Sequence, residues 1–325
     1  MGVVYLARQH PMGRRVVVKL IRPELVDPDS VQRFEQEVTL ASALDHQNIV
    51  HVYRAGMYGR APYVVMQFVD GPDLGRLIEM HGRLTAQRAV HVTRQLAAAL
   101  DAAHSQGIIH RDLKPENVLV RSDQTFLRVL LADFGLATVV GQTRMTQAGT
   151  PLGTPVYMAP EQWLGRGTDA RTDVYALAAT LFAMLAGRPP YLAKTMDALR
   201  MAHMEAPPPN LARFAPDAPP QLGQVIAKGL AKSPDARFAS AGELARAAAA
   251  VVNVKPQLSP GKRHPLAKGV YLALIGIGAT RVVAGAAKAH RWYNEQRQET
   301  EPTLVEDAEP AADEFQVPEL DQRGS

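Results

Sequence analysis

At 325 residues, with 46% hydrophobic and 21% charged side chains, the chain has core enough for one large two-lobed domain or two ordinary ones, and is too apolar to be disordered over most of its length. The absence of cysteine excludes disulfides, thiolate zinc sites and a cysteine nucleophile, and suits a reducing compartment. The net charge of +4 is uneven: from Glu299 onward nine acids face Arg323 alone, a net −8, so residues 1–298 carry +12. No aromatic-interleaved basic motif accompanies that excess, which suits anionic nucleotide and phosphorylated sites and gives no reason to expect nucleic acid.

The chain opens in a strand pattern, not in a charged segment followed by an apolar one, so no secretory leader is read. Met1-Gly2 is not a myristoylation start either, because Leu6 stands where a hydroxyl is wanted. Gly2 to Ala7 alternates loosely, Pro11 and Gly13 mark a turn, and Val16 to Ile21 is β-branched, which predicts a hairpin with Lys19 closing its second strand. Asp27 to Ser30 supplies helix-start residues, and Phe34, Val38 and Ala41 fall at helical spacing up to about Leu44. Asn48 to Arg54 and Ala61 to Val69 read as strands around a turn at Gly56 and Gly59. Thr85 can cap a helix running to about Ser105, with Val92, Leu96 and Leu100 on one face and Gly107 as its stop.

Val118 to Val120 and Val129 to Ala132 read as short apolar strands. From Asp173 to Leu185 the chain is too apolar for a surface helix, which predicts a buried helix with Asp173 at its start and Gly187 as terminator. Pro207 to Pro209 and Pro216 to Pro220 mark connecting loops. Ser240 and Glu243 form a capping box before an Ala-rich helix to Val252, where the domain ends.

Chemistry concentrates in His110-Arg111-Asp112-Leu113-Lys114-Pro115-Glu116-Asn117. Phosphoryl transfer needs a carboxylate to orient an attacking hydroxyl and take its proton, a cation to offset charge on the moving group, and a side-chain oxygen to help hold Mg²⁺. Asp112, Lys114 and Asn117 supply these within six residues. The order H-R-D-L-x-x-x-N resembles the catalytic loop of the protein kinases, and the lysine two residues after the aspartate is the serine/threonine form. The chain is thus similar to the bacterial Hanks-type (eukaryotic-like) serine/threonine protein kinase family over about residues 1–252.

The resemblance implies an α+β fold with a small β-rich N-lobe (1–69) and a mainly helical C-lobe (70–252), binding ATP with Mg²⁺. It makes Lys19, at the end of a V-A-x-K-like run, the lysine that Glu37 pairs with and directs at the α- and β-phosphates. Gly2 and Val4 match the end of the phosphate-covering loop. Val17 would lie above the adenine, Leu119 beneath it and Met66 behind it, with the backbone of Gln67 to Val69 bonding the base. Asp133-Phe134-Gly135 matches D-F-G, so Asp133 joins Asn117 as a metal ligand. Thr143, Thr146 and Thr150 become candidate autophosphorylation sites, Arg111 their charge partner, and Thr154 a bridge between Asp112 and Lys114. Glu161, in A-P-E, would pair with Arg237, and Asp173 would tie down the catalytic-loop backbone.

Taken singly, several of these are weak. Glu37 alone is better read as an exposed acid on a charged helix face, and a D-x-G turn is common. The chain departs from the family pattern in beginning at the loop's third glycine, and in carrying Val17 where alanine is usual, which could crowd the base. The missing first strand motivates a rival reading, a pseudokinase or nucleotide-binding scaffold with an upstream start to the gene. A small-molecule phosphotransferase is a third reading, disfavoured by Lys114, Thr154 and A-P-E.

Beyond the kinase-like part, 253–268 is a basic linker and 269–298 an apolar segment whose stretch 269–287 is interrupted by Arg281. It reads either as a single membrane anchor or as a helix packed on protein or lying at a membrane surface. The acidic end, 299–325, reads as disordered. The expected setting is a cytoplasmic kinase domain acting on Ser/Thr-bearing proteins, with a second copy of itself as the partner for autophosphorylation in trans.

Overall fold

In the computed structural model, which describes residues 3–21, 38, 41–59, 61–121, 127–134 and 155–252, the first two β-branched runs pair as a hairpin. Strands β1 (Val3–Gln9) and β2 (Arg14–Leu20) are antiparallel, with Val4 opposite Lys19. Gly13 makes the turn at φ 66°, a left-handed conformation that costs glycine nothing. β2 then pairs with β4 (Ala61–Gln67), and β4 with β3 (Val52–Tyr58), closing a sheet of order β1-β2-β4-β3.

Alternation along β2 sorts its side chains. Val16 and Val18 pack with Val65 on one face, while Val17 joins Met66 and Val69 in a separate apolar cluster on the other.

The strand expected over Asn48 to Arg54 begins later, at Val52, and Gly56 lies inside β3 and not in the turn. Asn48 to Val50 is extended but pairs elsewhere: Leu131 N–H donates to the Asn48 carbonyl at 2.8 Å and Val50 N–H to the Leu131 carbonyl at 2.9 Å. Gly56 is required by packing, since a Cβ there would sit 2.8 Å from the Tyr63 hydroxyl. Only Gly59, at φ 57°, turns the chain.

The second lobe is helical. α1 (Leu74–His81) and α2 (Ala86–His104) follow, the latter capped by Thr85 accepting from Arg88 N–H, with Gly107 past its end at φ 75°. A two-stranded sheet, β5 (Val118–Arg121) with β6 (Arg128–Leu131), lies between this helix and the first lobe's apolar cluster, to which Leu119, Leu130 and Ala132 belong. α3 (Pro160–Trp163) leads to α4 (Ala170–Ala186), whose residues Thr172 to Leu185 are all buried, as an apolar surface on every side requires. Helix α4 starts three residues before the expected Asp173: Asp169 is the cap, accepting from Arg171 N–H, and Gly187 ends it in the left-handed region at φ 71°.

α5 (Met196–Glu205), α6 (Pro220–Gly229) and α7 (Ala241–Val252) complete the lobe. At the start of α7, Ser240 Oγ accepts from Glu243 N–H, but the Glu243 carboxylate returns to Ala239 N–H, one residue earlier than a capping box has it. The architecture is the expected two-lobed α+β fold. Gly2, Glu37, Thr143, Thr146, Thr150, Thr154 and everything after residue 252 lie outside the described residues. Among those described, no helix is long and apolar enough to cross a membrane.

Candidate active site

The loop after α2 is held from beneath by one buried carboxylate. Asp173, on the first turn of α4 and wholly inaccessible, accepts from His110 N–H and Arg111 N–H, both at 2.8 Å. Arg111 adopts φ 65°, sparsely populated for a side-chain-bearing residue and costing about 1–3 kcal/mol. Asp173 grips the N–H of that residue and Gln162 Nε2 its carbonyl, at 2.8 Å, so the surrounding structure sustains the strain. His110 is buried with both ring nitrogens engaged: Nε2 lies 2.9 Å from the Ala132 carbonyl and Nδ1 accepts from Asp112 N–H at 3.2 Å. Its ring meets Phe134 edge-on at 4.6 Å. The two segments that carry the acids are thereby fastened together.

Above this support the predicted polar residues converge. Asp112 Oδ2 accepts from Lys114 Nζ at 2.7 Å and from Asn117 Nδ2 at 3.0 Å, and the same amide donates to the Asp112 carbonyl at 2.7 Å. Across the cleft Lys19 Nζ lies 2.8 Å from Asp133 Oδ2, an ion pair joining β2 to the end of β6 over 114 residues of chain. Asp133, like Arg111, has φ 65°. Ala132 N–H donates to the Asn117 carbonyl at 2.9 Å, so Asn117 and Asp133 are backbone neighbours.

That juxtaposition suits magnesium. With its NH₂ turned to Asp112, Asn117 keeps its amide oxygen for a cation, and Asp133 offers a carboxylate; hard oxygen donors of this kind are what Mg²⁺ takes. Among the described residues no group of three His, Cys, Asp or Glu could hold a metal alone, which fits an ion that completes its shell with water and substrate phosphate.

Val17, Val52, Met66, Val69, Leu119 and Ala132 share one apolar cluster, and Val17 faces Met66 across the β2–β4 ladder. These line the flat slot expected for a purine. The Gln67 N–H is engaged by the His51 carbonyl at 2.9 Å and is not available to a base, which leaves the Gln67 carbonyl and Val69 for that role. Val4 is half exposed at the first strand's outer end. Arg111 Nε lies 3.2 Å from Thr168 Oγ1.

Farther from the cleft, Arg237 and Glu161 form a buried two-pronged ion pair, and Thr172 Oγ1 donates to the same carboxylate at 2.8 Å. Burial opposes ionisation of Glu161, but the bonds and charge of Arg237, with Thr172, outweigh it and hold the carboxyl below its usual range.

Two residues of this support have no sequence signal. Gln162 merely follows Glu161, and His104, whose Nε2 lies 2.7 Å from Asp173, is the last residue of a helix read from its apolar face.

Residues 1–248 match the family described as the protein kinase domain. The chain is 43% identical over 250 residues to serine/threonine-protein kinase PknD of Mycobacterium tuberculosis, covering 76% of this chain and 37% of that one. It is 38% identical over 268 residues to serine/threonine-protein kinase Pkn1 of Myxococcus xanthus, covering 82% and 38%. The chain thus spans about two fifths of the length of the curated relatives it matches. Among solved structures, the PknI kinase domain of Mycobacterium tuberculosis superposes with a TM-score of 0.63 at 33% identity, covering 78% of this chain and 91% of that one. Rad53 in complex with AMP-PNP gives a TM-score of 0.63 at 27% identity, covering 75% and 60%. With this two-lobed fold and these matches, the chain belongs to the protein kinase family, as a bacterial Hanks-type serine/threonine member.

Proposed function

We propose that this protein transfers the γ-phosphoryl group of ATP to serine and threonine hydroxyls of other proteins and of its own loop at Thr143, Thr146 and Thr150. The observation that carries the reading is the hydrogen-bonded chain from Lys114 through Asp112 to Asn117, fastened through Ala132 to the Lys19–Asp133 pair. In this reading the adenine enters the slot between Val17 and Leu119. Lys19 exchanges the Asp133 carboxylate for α- and β-phosphate oxygens, and Glu37 steadies it. Thr154 bridges Asp112 and Lys114 and seats the incoming residue.

The reaction is an in-line displacement. The substrate oxygen bonds to the γ-phosphorus, the bond from that phosphorus to the β–γ bridging oxygen breaks, and ADP leaves with the electron pair. Asp112 orients the hydroxyl and accepts its proton, while Lys114 offsets charge on the equatorial oxygens. Mg²⁺ held by Asn117 and Asp133, when bound, neutralises charge on the β- and γ-phosphates. The fixed geometry at Arg111 sets where the Asp112 carboxylate stands, and a phosphorylated threonine of the loop would engage the Arg111 guanidinium.

The test is incorporation of labelled phosphate from Mg²⁺-ATP into the protein and into casein. The wild type should label both, and Asp112→Asn, which keeps shape and hydrogen bonding, should lower the rate by about 10²–10⁴-fold without change in melting temperature. Equal labelling by the two proteins would overturn the role of Asp112, and no labelling by the wild type would overturn the activity.

A further inference from the structure

Asp173 has a third ligand that neither the sequence motifs nor the reaction accounts for. His104 ends α2, its side chain is 10% exposed, and its Nε2 stands 2.7 Å from Asp173 Oδ2, the oxygen that also accepts from His110 N–H. An ionised carboxylate only accepts, so the imidazole donates from Nε2. Its other nitrogen, Nδ1, is buried and makes no hydrogen bond among the described residues. The polar interaction of this ring is therefore directed at one atom.

The consequence follows from burial. Asp173 is inaccessible to water, so each oxygen takes its orientation from protein donors alone. One oxygen is set by Arg111 N–H, and the other by His110 N–H and His104 together. The two N–H groups belong to the strained peptide that aims Asp112, and cannot both hold the carboxylate and be held by it. His104 comes from a helix outside that loop and so supplies an independent reference point. Removing its donor frees the carboxylate to rotate, and lets Arg111 relax from φ 65°, displacing Asp112 from its reacting position.

We propose that His104 is a positioning residue for phosphoryl transfer, acting through Asp173 to fix the backbone at His110 and Arg111. The inference rests on the activity proposed above, so its test carries one readout that does not depend on activity. The variants are His104→Leu, which fills the space without a donor, and His104→Gln, whose amide N–H reaches as Nε2 does. They are to be compared with the wild type in the full chain for kcat, KM for ATP, and amide hydrogen exchange read residue by residue.

With His104→Leu, kcat should fall about three- to tenfold, the effect of one lost hydrogen bond to a charged group, with KM for ATP within about twofold. Exchange at the His110 and Arg111 amides should quicken while the middle of α4 stays protected, and His104→Gln should restore both. Unchanged exchange at those two amides would overturn the proposal whatever the activity. So would a loss in His104→Leu that His104→Gln shares in full, since that marks a packing role. If the wild type transfers no phosphate, the proposed function fails while the exchange comparison still decides His104. If His104→Leu does not fold, the exchange and kcat of His104→Gln decide alone: values near the wild type support the proposal, and quickened exchange with lowered kcat overturns it.

Discussion

Glu161 and Arg237 stand 76 residues apart in the chain and meet as a parallel pair of hydrogen bonds, each 2.7 Å long, with the guanidinium wholly buried. Arg237 also donates to the carbonyls of Ala231, Lys232 and Arg171, so one side chain gathers the loop before α7, the start of α4 and the helix that follows the substrate-seating loop. Breaking such a pair leaves the partner charged and unpaired in the interior.

Arg237→Ala should therefore destabilise the domain by about 3–5 kcal/mol in urea unfolding, and Arg237→Lys should recover little, because an ammonium cannot reproduce the two-pronged geometry. The pH dependence has a definite sign. The folded-state pKa of Glu161 is depressed, so its contribution is present above the ordinary carboxylate value, near 4.5, and is lost as pH falls through the folded value. The gap in stability between wild type and Glu161→Gln should narrow on going from pH 7 to pH 3. A constant gap would contradict the assignment.

His203 predicts acid sensitivity over a different range. It is fully buried on α5 with Nδ1 2.9 Å from the Tyr175 hydroxyl, and burial, with Lys232 adding to it, pushes its pKa down from 6.5 to about 3. Between those values the unfolded chain binds a proton that the folded one does not, so stability falls as pH drops from 6.5 towards 3. His203→Asn keeps an acceptor for Tyr175 and does not titrate there. Its loss of unfolding free energy between pH 7 and pH 4.5 should be smaller than the wild type's, and equal losses would refute the effect of burial.

Gly187 tests the junction between α4 and α1. It has φ 71°, and a Cβ would lie 2.4 Å from the Gly82 carbonyl oxygen. Gly187→Ala adds a conformational penalty of about 1–2 kcal/mol to a clash with backbone that cannot step aside. The melting temperature should drop by several degrees, which calorimetry would read directly. An unchanged melting temperature would show that the junction adapts.

Val17 tests the nucleotide slot. It shares the cluster of Met66 and Leu119, so Val17→Ala removes two methyl groups from the wall above the proposed base position. If valine crowds the adenine, KM for ATP should fall about two- to fivefold with kcat little altered. A rise in KM would instead show that those methyls contribute favourable contact.

Much of this molecule is legible in one dimension because its determinants are local. β-branched runs and the turn at Gly13 make the first hairpin, Thr85 and Gly107 bound α2, and the unbroken apolar run announces α4 as the helix that all else packs around. The reacting groups are similarly readable, since Asp112, Lys114 and Asn117 must come from one short loop to be close. Other features depend on residues remote in sequence. That Lys19 faces Asp133 across the cleft, that Asp173 serves the catalytic loop while Asp169 caps the helix, that Gly56 makes room for Tyr63, and that His104 and Gln162 brace Arg111 were settled only on folding. The physical reason is that periodicity records which face of an element is buried, whereas the partner of a buried polar group is chosen by three-dimensional packing, and leaves no spacing in the chain by which it could be read.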